Sequence, residues 1–427
     1  MKKVIKGGKV VDPSRGICGI MDVYICNGIV KAVDKNIEVE DAEIINAYGK
    51  IVTPGLIDMH VHLREPGFEA KEDIESGSRA AAAGGYTSVA CMPNTNPVID
   101  NKTVVRFIKD RAREVHKVNI YAIGAITKGL KGEELAEMAD MRAAGAVAFS
   151  DDGKPVMNSG LMRRALEYAA MFDVPIISHS EDTNLSADGV INEGRVSAVL
   201  GLKGIPAAAE EVMVARDVIL SEMTGSRLHI AHVSTKRSVE IIRRAKERGV
   251  KVTAEAAPHH FTLTEDSVMS FDTNTKVNPP LRSAEDVEAV KQGLKDGTID
   301  AIATDHAPHT YEDKDTEYDN AAFGISGIET AVPLVITYLI NTGVLTLSQA
   351  VEKLTINPAK ILGINKGSLK PGSDADITII DLDAKTVVDV NKFESRGKNS
   401  PFNRWKLKGS PFMTIVGGRV VWQKEGC

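Results

Sequence analysis

Short runs of apolar and β-branched residues alternate with longer amphipathic stretches through the middle of the chain. The short runs predict eight strands, which begin near Leu56, Tyr86, Asn119, Ala146, Pro175, Leu228, Lys251 and Asp300. The longer stretches predict helices such as 75–83 and 239–248, and Gly249 is a suitable C-cap for the second. Strands that alternate with helices in this way favour a parallel sheet.

Eight strands are the number that closes a (β/α)8 TIM barrel of about 250 residues plus insertions. The alternative is an open, doubly wound sheet, but no GxGxxG follows a predicted strand, which weakens the case for a nucleotide-binding sheet. Both chain ends contain short strands and tight turns. The pattern therefore predicts an α/β protein with a barrel at 54–365 and a small β-sandwich domain built from 1–53 and 366–427.

Composition and charge exclude several classes of protein. A net charge of −6 over 427 residues gives no electrostatic footprint for nucleic acid or an anionic membrane. We expect no membrane span, because no apolar run approaches about 18 residues, and no signal peptide, because the N-terminus lacks an apolar core segment. Cys18, Cys26, Cys91 and Cys427 lack CxxC spacing and fit the reduced thiols of a cytoplasmic protein.

Two histidines lie one residue apart directly after the apolar run 51–57. If residues 56–62 form a strand, His60 and His62 point to the same side and can bind one divalent metal ion, with Zn²⁺ the first choice. Two histidines at this spacing also occur by chance on a half-exposed strand. The pair alone does not decide between these interpretations.

Other predicted strands also end in residues that can bind a metal. Three of them finish at His179, His232 and Asp305, and a fourth runs into Asp151 and Asp152. A lone histidine on an apolar strand usually packs in a core, but a parallel barrel brings the carboxyl ends of all its strands to one face. The shared pattern therefore predicts a metal centre at that face.

The candidate ligands outnumber the three protein ligands that a catalytic zinc ion usually takes. They are His60, His62, Asp152, His179, His232 and Asp305. The surplus indicates either two metal ions about 3.5–4 Å apart or one metal ion beside a general base. Zinc lowers the pKa of bound water toward about 7 and polarises a carbonyl group. Asp305 could take a proton from that water and pass it to a leaving nitrogen, so we expect hydrolysis of an amide-like bond.

Several longer motifs resemble those of the dihydroorotase family within the amidohydrolase superfamily. Residues 58–67, DMHVHLREPG, resemble the first family signature, and 303–309, ATDHAPH, with Lys314 resemble the second. Further matches are CMPNT at 91–95, FSDDG at 149–153, VNPPLR at 277–282 and GSDAD at 372–376. The resemblance extends over essentially the whole chain.

The resemblance implies one metal ion on His60 and His62 and a second on His179 and His232, hence one or two Zn²⁺ per subunit. Many relatives bridge the two ions with a carboxylated lysine after the fourth strand, where this chain has none. It is similar to bacterial dihydroorotases that use aspartate there. We assign Asp152, with the adjacent Asp151 as the alternative.

The resemblance also implies the reaction, which is the reversible hydrolysis of (S)-dihydroorotate to N-carbamoyl-L-aspartate in UMP biosynthesis. A metal-bound hydroxide would attack the ring carbonyl, with Asp305 as general acid and base. If the strand geometry persists as far as Arg64, its side chain points to the same face as the ligands, and its guanidinium suits the substrate carboxylate. Asn94 would also bind the carboxylate, and Asn278 and His309 would contact the ring.

Alternatives remain for function and for single elements. The chain could act on another cyclic amide, as dihydropyrimidinases and allantoinases do, or serve as a non-catalytic partner of aspartate transcarbamoylase. A homodimer is expected, and association of an active enzyme with the transcarbamoylase stays open. His259, His260 and His306 are expected to lie outside the ligand set. The loop 310–323 is either a mobile lid or an ordered surface loop.

Overall fold

The structure is a computed structural model that describes residues 1–424, so Cys427 lies outside the described part. The strands are Lys2–Asp12 (β1), Ile17–Cys26 (β2), Ile29–Asp34 (β3), Glu43–Asn46 (β4), Ile51–Pro54 (β5), Leu56–Val61 (β6), Tyr86–Cys91 (β7), Asn119–Gly124 (β8), Ala148–Ser150 (β9), Ile176–Ser178 (β10), Ile191–Asn192 (β11), Gly204–Ile205 (β12), Leu228–Ile230 (β13), Val252–Ala256 (β14), Ala301–Ile302 (β15), Ile377–Val387 (β16), Lys406–Val416 (β17) and Arg419–Gln423 (β18). The α-helices are Ile74–Ala83 (α1), Lys102–Val115 (α2), Met138–Ala144 (α3), Ser159–Ala170 (α4), Thr183–Ser186 (α5), Arg195–Leu200 (α6), Ala208–Thr224 (α7), Lys236–Glu247 (α8), Pro258–Thr262 (α9), Ala284–Asp296 (α10), Tyr311–Lys314 (α11), Ala331–Val335 (α12), Leu347–Leu354 (α13) and Ile356–Leu362 (α14).

Eight parallel strands form the barrel in the order β6-β7-β8-β9-β10-β13-β14-β15. The ring closes through a parallel bridge between Val61 and His306, where the His62 N–H donates to the His306 carbonyl over 2.8 Å. The predicted TIM barrel is therefore confirmed, and the open doubly wound sheet is excluded. Each barrel strand begins within two residues of its predicted start.

The helices pack against the outside of this ring through their apolar faces. Helix α1 begins at Asp73, whose carboxylate accepts the backbone N–H of Ser76, and α8 begins at Thr235 in the same way. Gly249 has a φ of +81° just after α8, the left-handed conformation expected of a glycine at a helix end. No helix within residues 1–424 is long and apolar enough for a membrane crossing.

A second sheet joins the two ends of the chain. Its strands run in the order β18-β17-β16-β5-β1-β2-β3, with β4 paired to β1, and they enclose their own apolar core. The N-terminal and C-terminal segments therefore fold together, as the sequence predicts. The exact domain boundaries after residues 53 and 365 stay predictions. The thiols of Cys18, Cys26 and Cys91 are free.

The junction between the sheet and the barrel is tightly packed at Gly55. Its N–H donates to the Asp376 carbonyl over 2.8 Å, and the next strand, β6, carries His60. A Cβ atom at Gly55 would lie 2.0 Å from Oγ1 of the buried Thr87. Only glycine fits there without a shift of β6 or β7.

We expect Gly55→Ala to lower the free energy of unfolding by about 1–3 kcal/mol, because the added methyl group overpacks the junction. Gly19→Ala is the matched control, since Gly19 lies in β2 of the terminal sheet and has no atom within 4 Å of the added Cβ. Denaturant unfolding of both variants measures the difference. Equal transition midpoints would mean that Thr87 moves aside at no cost.

Candidate metal centre and active site

Four histidines from three barrel strands meet at the carboxyl end of the barrel. His60 and His62 come from the end of β6, His179 directly follows β10, and His232 lies two residues after β13. The ring centroid of His60 lies 5.4 Å from that of His62 and 5.3 Å from that of His232, and the His179 and His232 centroids are 4.7 Å apart. All four side chains are buried.

The carboxylate of Asp152 lies at the centre of these four rings. Its Oδ1 atom is 3.4 Å from Nε2 of His60, 3.5 Å from Nδ1 of His179 and 3.6 Å from Nε2 of His232. Its Oδ2 atom is 3.5 Å from Nε2 of His62. One carboxylate therefore faces a nitrogen atom of every histidine in the cluster.

Asp151 points away from this cluster. Its Oδ1 atom accepts the backbone N–H groups of Ile126 and Thr127 over 2.7 and 3.0 Å, and its Oδ2 atom accepts the Thr127 hydroxyl. Both of its oxygen atoms are thus occupied by the segment after β8. Of the two aspartates that the sequence left open, the geometry favours Asp152.

Asp305 completes a second donor group that shares His60. Its Oδ1 atom lies 3.0 Å from Nε2 of His62 and 3.4 Å from Nε2 of His60. The two groups, His60–Asp152–His232 and His60–His62–Asp305, each keep their ligand atoms within 4.8 Å of one another. Burial opposes the charge on Asp305, but the neighbouring His60 and His62 lower its pKa far below the usual range.

Two glutamates that the sequence analysis missed fix the orientation of the rings. Glu255 accepts from Nδ1 of His60 over 2.6 Å, and its other oxygen lies 3.2 Å from Nε2 of His229. Glu181 accepts from Nε2 of His179 over 2.9 Å. The signal for Glu255 is an acidic residue inside a short apolar strand, where charged residues are rare unless they are paired.

In the neutral form of three of these rings, the contacts indicate which nitrogen atom carries the lone pair. Because Nδ1–H of His60 donates to Glu255, its Nε2 lone pair faces Asp152. Nδ1 of His62 donates to Oδ1 of Asn94 over 2.9 Å, which leaves Nε2 free in the same way. His179 is reversed: Nε2 is bound to Glu181, so Nδ1 faces the centre.

The cluster fits a divalent metal ion. Nε2 of His60 and Oδ1 of Asp152 are buried and have no hydrogen-bond partner within the described chain. Buried polar atoms without partners are costly, and a metal ion would satisfy both. Nitrogen and carboxylate donors with second hydrogen-bonded partners are the usual surroundings of zinc.

A cavity of about 210 Å³ opens beside the cluster. All four residues predicted to bind substrate line it, and they are Arg64, Asn94, Asn278 and His309. Nε of Arg64 donates to the Pro308 carbonyl over 3.2 Å. Burial lowers the pKa of Arg64 to about 10, against the attraction of Asp305, so the guanidinium stays charged at neutral pH.

His309 is a neutral imidazole at neutral pH. Burial, followed by the charges of Arg64 and Lys71, lowers its pKa to about 3. Nε2 lies 2.9 Å from the Phe323 carbonyl and donates to it, while Nδ1 lies 3.4 Å from Nζ of Lys71 and accepts. The ring is therefore held between the cavity wall and a lysine.

The remaining histidines of this face lie outside the ligand cluster. Nε2 of His260 donates to the Pro279 carbonyl over 2.9 Å, and the His259 ring packs against it with centroids 4.3 Å apart. His306 contributes its backbone to barrel closure. In the loop 310–323, Lys314 and Tyr318 are buried.

Comparisons with known proteins agree with this architecture. A family model described as dihydro-orotase-like matches residues 49–238, and one described as an amidohydrolase family matches 204–422. The dihydroorotases of Pelotomaculum thermopropionicum and Acetivibrio thermocellus are 65% and 60% identical to this chain, with 99% of each chain covered. The structure of L-hydantoinase (dihydropyrimidinase) from Arthrobacter aurescens has a TM-score of 0.89 at 30% identity and covers 99% of this chain and 97% of its own. The chain therefore belongs to the dihydroorotase family of amidohydrolases, hydrolases that act on cyclic amides.

Proposed function

We propose that this protein is a zinc-dependent dihydroorotase of pyrimidine biosynthesis. It interconverts (S)-dihydroorotate and N-carbamoyl-L-aspartate by opening and closing one C–N bond of the ring. The observation that carries the proposal is the position of Arg64, a half-buried cation that lines the same cavity as Asp152 and Asp305. A guanidinium suits a carboxylate, which dihydroorotate carries and dihydrouracil lacks.

The metal would be held by the cluster of imidazoles and carboxylates. These residues are His60, His62, Asp152, His179, His232 and Asp305. When bound, one or two zinc ions supply a water nucleophile that ionises near neutral pH and a Lewis acid for the ring carbonyl. Glu255 and Glu181 keep the ring nitrogen atoms aimed at the site by holding the opposite N–H groups.

Asp305 moves the proton. Its Oδ1 atom lies 3.0 Å from Nε2 of His62, beside the imidazole cluster, where it can accept the proton that the attacking water loses. The carbonyl carbon gains the water oxygen, and the C–N bond breaks. Asp305 then returns the proton to the departing ring nitrogen, which regenerates the carboxylate for the next turnover.

The polar groups around the cavity orient the substrate. Arg64 binds the carboxylate, and the Asn94 amide donates to it, since its oxygen is already used by His62. The Asn278 amide donates to Glu181 over 2.8 Å, which leaves its oxygen free to accept a ring N–H. His309, whose Nε2 atom lies 3.3 Å from the Arg64 guanidinium, also contacts the ring. A homodimer, a cytoplasmic location and association with aspartate transcarbamoylase stay predictions from the family resemblance.

The purified holoenzyme should hydrolyse dihydroorotate, with a kcat/KM about a hundredfold above that for dihydrouracil, because only dihydroorotate pairs with Arg64. Chelation should abolish this activity, and added zinc should restore it. The measurement is a substrate panel with metal analysis on one preparation. Preference for dihydrouracil, hydantoin or allantoin would assign the chain to another cyclic amide instead.

Asp152→Asn should weaken zinc binding at least about a hundredfold, since even residues that only orient ligands cost about 10–100-fold when they are changed. Asp151→Asn is the matched control, because its carboxylate binds the segment after β8 and not the cluster. Competition with a chelating dye measures both affinities. Equal losses in the two variants would contradict the assignment of Asp152.

Asp305→Asn should reduce kcat about 10²–10⁴-fold, because the amide can neither accept nor return the proton. At saturating zinc, the zinc content and the unfolding midpoint should stay close to wild type, since the imidazoles and Asp152 remain. Steady-state kinetics and metal analysis check both. A kcat near that of wild type would remove Asp305 from the mechanism.

A further inference from the structure

Lys314 belongs to the second family signature, yet the proposed chemistry gives it no role. Its side chain is only 6% exposed, and its Nζ atom lies among backbone carbonyls. It donates to the carbonyls of Thr273 over 3.1 Å, Lys276 over 3.3 Å and Ala322 over 2.6 Å. The ammonium therefore uses all three of its donors on the protein backbone.

Lys276 makes the reciprocal contacts from the facing segment. Its Nζ atom donates to the carbonyls of Tyr318 and Asp319, both over 2.9 Å, and lies 4.6 Å from the ring centroid of Phe323. A cation over an aromatic face is attractive, the more so when it is shielded from water. Lys314, in the loop 310–323, thus binds the segment 273–278, and Lys276, in that segment, binds the loop.

The two joined stretches form one wall of the substrate cavity. Val277 and Asn278 follow Lys276 in the chain, and Phe323 and Gly324 close the loop that begins after His309. All four line the cavity. The Gly324 N–H donates to the Lys276 carbonyl over 2.9 Å, and the Phe323 carbonyl accepts from His309. The lysine contacts therefore lie directly behind groups that face the substrate.

These two cations are costly to bury. Neither forms an ion pair with a carboxylate of residues 1–424. Backbone carbonyls surround both amino groups, two aromatic rings face Lys276, and carboxylates act on the two lysines only at longer range. Burial and the neighbouring Lys276 lower the pKa of Lys314 to about 7, and burial lowers that of Lys276 to about 8. An apolar side chain of similar length would fill the same space at less cost. The charges therefore do more than fill volume.

We propose that Lys314 and Lys276 are positioning residues for substrate binding: their ammonium groups join the loop 310–323 to the segment 273–278 and so hold Asn278, Phe323 and His309 in place around the ring. Neither lysine touches the metal ligands or lines the space beside Asp305. The inference rests on the proposed function for the identity of the substrate. How well this wall of the cavity is held in place can be measured by hydrogen exchange without any substrate.

The test replaces each lysine with methionine, which keeps the length and removes the charge. With dihydroorotate, Lys314→Met and Lys276→Met should each raise KM about tenfold or more and leave kcat within about threefold, because the wall binds substrate but moves no proton. Amide hydrogen exchange of the ligand-free holoenzyme should be faster within 311–323. Zinc content should be unchanged.

Lys353→Met is the matched control. Lys353 is also a buried lysine whose Nζ donates to a backbone carbonyl, that of Ile299 over 2.6 Å, but it lies in α13, away from the cavity. We expect it to lower stability without changing KM or exchange in the loop. If Lys314→Met does not fold, Lys276→Met carries the test alone.

Two results would overturn the inference. One is an unchanged KM and unchanged loop exchange in the folded lysine variants. The other is the same rise in KM in Lys353→Met, which would trace the effect to general loss of stability. Failure of the proposed function has a different signature, since wild type itself would not turn over dihydroorotate while the exchange experiment would still report on the wall.

Discussion

Closure of the parallel sheet is the constraint on which the site depends. When β6 meets the segment after β15 through Val61 and His306, eight strands finish on one face and their last side chains have a single space to share. Four imidazoles and two carboxylates are gathered there at distances that no linear stretch of chain could maintain. The terminal sheet supports this ring from outside, at the packed junction of Gly55 and Thr87.

These imidazoles and carboxylates are buried close together, so each one shifts the pKa of its neighbours. Burial disfavours a charged His60, but the nearby Asp152 and Asp305 raise its pKa well above the usual value. The centre therefore attracts positive charge, either protons or a metal ion. Arg64 adds a positive charge to the same cavity. The cavity thus has carboxylates at the histidine cluster and a guanidinium beside it, which suits the substrate carboxylate of the proposed function.

The sequence predicts the barrel and the meeting of the candidate ligands in one cluster, because both depend on local pattern. Apolar runs mark the strands, and polar residues at their ends mark the site. It does not distinguish Asp151 from Asp152, since both follow a strand and only the contacts of Asp151 with Thr127 separate them. Glu255 and Lys276 were missed for a related reason: their partners, His60 and Tyr318, are distant in the chain, and long-range pairing leaves no local periodicity to detect.

Glu181 has a consequence that reaches beyond holding a ring. One carboxylate accepts both the Nε2 proton of His179 and the amide of Asn278, so the metal side and the substrate side of the cavity share a single acceptor. In the proposed function, a substrate that draws Asn278 away from Glu181 would change how firmly His179 is held. Where such a coupling exists, thermodynamic reciprocity makes metal and substrate change each other's affinity by the same factor.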